Sequence, residues 1–335
     1  MREVLEIPIM GEVLVGTRHV PLVPAAPLGV LFINFGYATR DGHGGLAVRS
    51  CEALASRDLE TFRFDLPGIG DSPGPLPAGE QPFTDLVVTG GYATLVQALV
   101  NRLCERYRLH QLILGGLCVT AVTAILMAGR ERQRIAGLVM LEPQMFFYEE
   151  KASDFALNGR PGPASSDQVP GTPVDQDSPP PQPLLRRIRA KYFTIWGLIR
   201  FLTYEGQCHR WLPLPRRMIL DYLITRSDLP VVIHLPVVST WSDLVRQEYP
   251  MLVITAQGKL RDRFFYLIKA NLFNEAATTA LVHIQVANTN HTFTLGDSSE
   301  AVIGHILHWV DSLHAARSAW HPSGLGAPSW VCEGL

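Results

Sequence analysis

The chain has 335 residues, of which 47% are hydrophobic and 18% charged, with a formal net charge of −2. That is enough apolar material for one large core, and it argues against a nucleic-acid footprint, which needs a clustered positive excess. Its five cysteines (Cys51, Cys104, Cys118, Cys208, Cys332) are scattered without paired ligand spacing, so neither a disulfide framework nor a metal or cofactor site is expected.

Taken in order, Met1 to Pro8 mixes acids with apolar residues and has no hydrophobic core of signal-peptide length. No apolar run reaches transmembrane length, and a cytoplasmic location is the expectation. Residues 3–23 alternate around Gly11 and Gly16 as a pair of strands. Gly29 to Phe35 is a continuous apolar strand of the kind buried on both faces, and it runs into the polar, glycine-rich loop Gly36 to Gly45. A helix is predicted over Leu46 to Arg57, a strand over Thr61 to Asp65, and a long amphipathic helix over Asp85 to Tyr107.

Next come the apolar strand Leu112 to Leu117, a helix of small residues after Cys118, and the strand Ile135 to Glu142. Repeated alternation of this kind predicts an α/β fold with a mostly parallel, doubly wound sheet. The pattern breaks after Pro143, so residues 1–144 form the first part of the core and 145–245 a helical cap insertion. Within the insertion, 159–183 is proline-rich and expected to be disordered. Residues 184–204 and 217–225 look helical; the first suits a lid whose arginines face water, with a membrane-surface helix as the rival. The core resumes over 246–318, with strands Met251 to Ala256 and Leu281 to Val286, a helix through Asn274 and a closing helix Ser298 to His314; 319–335 is a loose tail.

The stretch with chemical content is Gly115-Gly116-Leu117-Cys118-Val119-Thr120. A strand that turns abruptly into a helix there would hold Cys118 at the turn, with the helix amides and positive dipole end aimed at its sulfur. This is the layout of a nucleophile elbow with cysteine in the serine position. Asp262 follows the next-to-last strand and His291 the last, which completes the order nucleophile, acid, histidine at the carboxyl ends of the strands.

On these residues the chain resembles the α/β-hydrolase superfamily over about 25–143 and 245–315. Phe64-Asp65-Leu66-Pro67-Gly68-Ile69-Gly70-Asp71-Ser72 is similar to a glycine-rich loop of that family, Gly116-Leu117-Cys118 to its elbow, and Asn290-His291-Thr292-Phe293 to its histidine loop. Gly-Leu-Cys together with His-Thr-Phe is most similar to bacterial hydrolase-like proteins found beside exosortase or natural-product genes. The resemblance implies Cys118 as nucleophile, His291 as its base and Asp262 as the orienting acid, with Glu142 the alternative acid. It implies an oxyanion hole from the amides of Val119 and Tyr37. Phe35, Gly36, His43 and Leu117 would line the pocket. Thr120 replaces a usual glycine, so the helix should sit further from the strand or the turn be distorted. Asp65 and Asp71 read as structural groups of their own turn, and His283, His305, His308 and His314 as face residues without a function.

The expected activity is hydrolysis of an ester, lactone or thioester through an acyl-cysteine. Acyl transfer or cyclisation with the same acyl-cysteine is a second reading, and a non-catalytic binding protein a third. The expected partner is a small acyl substrate, carrier-bound thioesters included, with no nucleic acid and no membrane span.

Overall fold

The computed structural model describes residues 1–23, 27–34, 36–75, 86–87, 89–148, 231–272 and 280–320. The proline-rich segment 159–183, the predicted helices 184–204 and 217–225, Phe35, and the tail beyond Trp320 lie outside the described residues.

Ten strands are described, in chain order β1 (Arg2–Ile9), β2 (Glu12–His19), β3 (Leu28–Ile33), β4 (Glu60–Phe64), β5 (Gln111–Leu117), β6 (Ile135–Leu141), β7 (Phe146–Tyr148), β8 (Val231–Ile233), β9 (Met251–Ala256) and β10 (Leu281–Val286). Six helices accompany them: α1 (Leu46–Ala55), α2 (Ala93–Tyr107), α3 (Val119–Arg130), α4 (Leu235–Arg246), α5 (Leu260–Leu272) and α6 (Ser298–Trp320). Eight strands form one sheet in the order β1-β2-β4-β3-β5-β6-β9-β10. β1 and β2 pair antiparallel, β2 meets β4 antiparallel, and every later pairing is parallel. This is the α/β-hydrolase fold, doubly wound as the alternation of strand and helix predicts.

Strands β3, β4, β5, β6 and β9 are almost wholly buried because helices cover both faces. One core layer holds Leu114, Met140 and Val253 against Val96, Val122, Trp241 and Phe264 of α2 to α5. The other packs Ile113, Val139 and Leu252 against Leu54 and Ile306 of α1 and α6. Each such side chain contributes about 1.5–3 kcal/mol by leaving water.

The parallel register sets the functional edge. Leu117 lies beside Leu141, and Leu141 beside Ile254. The next residue of each strand closes the ladder, with Asn34 N donating to Phe64 O (3.0 Å), Cys118 N to Leu141 O (2.8 Å) and Glu142 N to Ile254 O (2.9 Å). Asn34, Cys118 and Glu142 therefore leave the sheet at one height.

The insertion is stitched at its base, because Phe146 and Ile233, then Tyr148 and Val231, pair as an antiparallel ladder. Trp241, fully buried, and Val237 of α4 pack into the first core layer. A sequence window does not reveal this, since an apolar helix face reads alike in a lid and a core.

Candidate active site

Cys118 sits between β5 and α3 with φ 61 and ψ −116, a left-handed backbone that a non-glycine residue adopts only where its surroundings impose it. What imposes it is close packing of strand and helix. A Cβ on Gly116 would lie 2.7 Å from Thr120 C and 2.8 Å from Ala121 N, and backbone cannot yield, so only glycine fits. Thr120 neither pushes the helix away nor spoils the turn. Its hydroxyl folds back onto the strand end, accepting from Leu117 N (3.1 Å) and donating to Leu117 O (2.8 Å). The side chain that replaces glycine thus braces the elbow.

The Cys118 thiol is half-buried at the amino end of α3. Sγ lies 3.5 Å from Gln144 Oε1 and accepts from Arg261 Nη2 at 3.2 Å, while the same Nη2 donates to Gln144 Oε1 at 3.0 Å. Burial pushes the thiol pKa up, against the pull of the Arg261 charge and the Val119 amide beside the sulfur. The Val119 amide therefore lies beside the Cys118 sulfur.

The two candidate acids have different surroundings. Asp262 is buried, and its carboxylate accepts from Thr255 Oγ1 (2.6 Å), Gly258 N (2.8 Å) and Gln285 Nε2 (2.8 and 2.9 Å to its two oxygens). His283 Nε2 stands 3.7 Å from the same group and 2.8 Å from Thr255 Oγ1. Among the described residues Asp262 makes no hydrogen bond to His291, the residue it was expected to orient. Its hydrogen-bonding capacity is spent fixing the start of α5. His283, read as a face residue, belongs to that buried network, where burial lowers its pKa to about 4.

Glu142, the alternative acid, is fully buried at the elbow edge. Oε1 accepts from Ala256 N at 2.5 Å, while Oε2 has no hydrogen-bond partner and lies 4.0 Å from Arg261 Nη1. Burial raises its pKa from 4.5 to about 7. Between those values the folded protein binds more protons at Glu142 than the unfolded chain does, so this group costs stability as pH rises through that window and nothing further above it. His19 and His283, both pushed down to about 4 from 6.5, act oppositely, restoring stability as pH rises from about 4 to 6.5. The difference between variants separates them. Urea unfolding of the wild type and Glu142→Gln at about pH 5 and pH 8 is expected to show the variant gaining on the order of 3 kcal/mol relative to the wild type across that interval. Parallel pH dependences would contradict the assignment.

His291 is exposed on the loop between β10 and α6 and, among the described residues, bonds neither Cys118 nor a carboxylate. Partial desolvation, then the charges of Arg261 and His43, push its pKa down to about 4, which leaves it neutral near pH 7 and a weaker base than a free imidazole. His43 is half-buried in a short 3-10 turn, and burial lowers its pKa too. Arg261 is the residue whose charge reaches both Cys118 and His291.

The loop carrying Gly36 and Tyr37 is held from two sides. Asn34 Nδ2 donates to Gly36 O at 2.5 Å. Arg40 N donates to Asp65 Oδ1 at 2.5 Å, and the Arg40 guanidinium ion-pairs with both Asp65 and Asp71. Asp65 is fully buried, and Gly70, with φ +54, leaves room for it, since a Cβ there would lie 2.3 Å from Asp65 Oδ2. Asp65 and Asp71 are structural, as expected, but they brace a neighbouring loop as well as their own turn. Tyr37 is exposed and Leu117 buried beneath the elbow.

Sequence reasoning missed Arg261 and Gln144. Each is next to or two residues from a candidate acid, and a residue adjacent to a helical carboxylate faces a direction about 100° away, so Arg261 takes the edge that Asp262 was expected to occupy. Among the described residues no group of three or more His, Cys, Asp or Glu could hold a metal, and no helix is long and apolar enough to cross a membrane.

Fold and site together define a sheet of hydrolase type with a cysteine at the elbow. A family profile described as the alpha/beta hydrolase fold matches residues 42–165. A haloalkane dehalogenase loop variant from Bradyrhizobium elkanii is 15% identical with a TM-score of 0.54, covering 95% of this chain and 99% of that one. A proline iminopeptidase from Mycobacterium smegmatis is 13% identical with a TM-score of 0.53, covering 94% and 100%. A thermophilic esterase from Thermogutta terrifontis, with malate bound, is 14% identical with a TM-score of 0.50, covering 93% and 99%. Likeness at this identity shows the fold alone. A search of curated proteins finds no match.

Proposed function

We propose that the protein is a hydrolase of esters, lactones or thioesters that works through an acyl-cysteine on Cys118. The observation that carries this reading is the elbow: a cysteine held at φ 61 on the carboxyl edge of a parallel sheet, with the following amide at its sulfur. The proposal is for the cysteine-nucleophile variant of the fold, whose elbow and histidine-loop motifs this chain resembles.

Sγ attacks the acyl carbon as the thiol proton passes to His291, and the carbonyl oxygen becomes an oxyanion held by the amides of Val119 and Tyr37. The carbon–oxygen or carbon–sulfur bond then breaks, and the leaving group takes the proton from His291. Water then attacks the acyl carbon as it gives a proton to His291, the bond from that carbon to Sγ breaks to free the acid, and Sγ takes the proton back from His291. Glu142 is the carboxylate of this site in the proposal, acting through Arg261, and Asp262 anchors α5 beneath it.

A panel of nitrophenyl esters and acyl thioesters, followed by release of the leaving group, tests the role of His291. His291→Ala is expected to lower kcat about 10²-fold or more with little change in KM, and to abolish the acid limb of the pH profile. An unchanged kcat removes His291 from the mechanism. Adding alcohol or amine acceptors separates hydrolysis from acyl transfer.

A further inference from the structure

We propose that the substrate carries a carboxylate close to its scissile acyl carbon, and that Arg261 is the residue that binds it. The inference rests on Cys118 as nucleophile and adds the class of substrate.

The Arg261 side chain is only 14% exposed, yet its hydrogen bonds are few. Nη2 supplies both of them, to the Cys118 sulfur and the Gln144 amide oxygen, and neither acceptor is an ionised carboxylate. Nε is buried without an acceptor. The nearest carboxylate oxygen, Glu142 Oε2, stands 4.0 Å from Nη1, and it too is buried with no hydrogen-bond partner. A guanidinium has five donors in a planar fork suited to a carboxylate, and burying it without such a partner is costly. Cation and acid are close enough to feel each other and too far apart to satisfy each other.

The neighbouring carboxylate does not fill the gap, because Asp262, next in sequence, is engaged by Thr255, Gly258 and Gln285. An anion entering over Cys118 would meet an Arg fork already in contact with the sulfur. Its carboxylate would take the unused donors, drawing Nη2 off Sγ and freeing the sulfur to attack. A neutral acyl chain offers nothing in exchange for those contacts, so discrimination comes from the unpaired guanidinium as much as from the new bonds.

Binding is measured on Cys118→Ala, which cannot turn over, so failure of this inference stays distinct from failure of the acyl-cysteine reading. Monomethyl glutarate places the carboxylate on the acyl side, acetoxyacetate on the leaving-group side, and methyl valerate carries none. At least one of the anionic probes is expected to bind about tenfold or more tighter than methyl valerate, and the preference is expected to vanish in Cys118→Ala/Arg261→Gln. Should that variant fail to fold, Cys118→Ala/Arg261→Lys carries the test: a point charge without the fork is expected to keep only part of the preference. Equal binding of the three probes, or a preference that survives both substitutions unchanged, overturns the proposal.

Discussion

Replacing Cys118 with alanine is expected to lower acyl turnover on the order of 10³-fold or more, leaving only what binding and the oxyanion amides supply. The backbone at 118 is fixed by neighbours that alanine leaves intact, namely Gly116 packed on Thr120, the Thr120 hydroxyl on Leu117 and the ladder bond from Cys118 N to Leu141 O. The variant should therefore fold and melt close to the wild type, which makes loss of rate a chemical result. Cys118→Ser is informative beside it. The serine hydroxyl would hand its proton to His291 as the thiol does, but an alcohol is far less acidic than a thiol, and its proton is harder to pass to an imidazole whose pKa is pushed down to about 4. The serine variant is accordingly expected to fall well below the wild type, and serine activity within about tenfold of wild type would contradict this account of the site.

The second large effect is on stability. Asp65→Ala is expected to cost about 3 kcal/mol in urea unfolding, because it leaves the Arg40 guanidinium, 14% exposed, with only the exposed carboxylate of Asp71. It also removes the acceptor of Arg40 N, and with it the tie between the turn at Gly70 and the loop that carries Gly36 and Tyr37. Acyl turnover should fall well below the melting temperature, since a loosened Tyr37 amide no longer holds the oxyanion in place. Asp65→Asn keeps the shape and loses the charge, and is expected to lie between the two. A cost under about 1 kcal/mol for Asp65→Ala would show that the two loops are held by other contacts.

How far the sequence could be read depended on whether a pattern had one geometric solution. The continuous apolar runs at Val30, Ile113, Val139 and Leu252 can only be strands covered on both faces, and parallel order follows from the helices between them. The glycine pair before Cys118 marks a tight strand-to-helix turn, and Cys118 lies between β5 and α3 with φ 61. The acid was harder to place. Arg261 and Asp262 are consecutive residues at the start of a helix, and nothing in one chain says which of them turns toward the strand edge and which beneath the sheet. The structure sends Asp262 under, to Thr255 and Gln285, and leaves Arg261 over Cys118. His283 was legible in principle, because alternation along β10 puts it on the same face as Gln285, but the partner that makes this matter comes from another element. Glu142 and Gln144 share that difficulty: their meaning lies in what α5 brings to them. The packing of α4 on the core was not legible, because Trp241 and Val237 look the same in a lid and in a core.

The most direct test of the central claim is the intact mass of the wild-type protein, Cys118→Ala and His291→Ala after mixing with nitrophenyl esters and acyl thioesters, anionic and neutral. The account predicts a single acyl adduct on the wild type, absent from Cys118→Ala and slower to form in His291→Ala. An adduct that persists in Cys118→Ala, or turnover of these substrates by that variant at the wild-type rate, would contradict it.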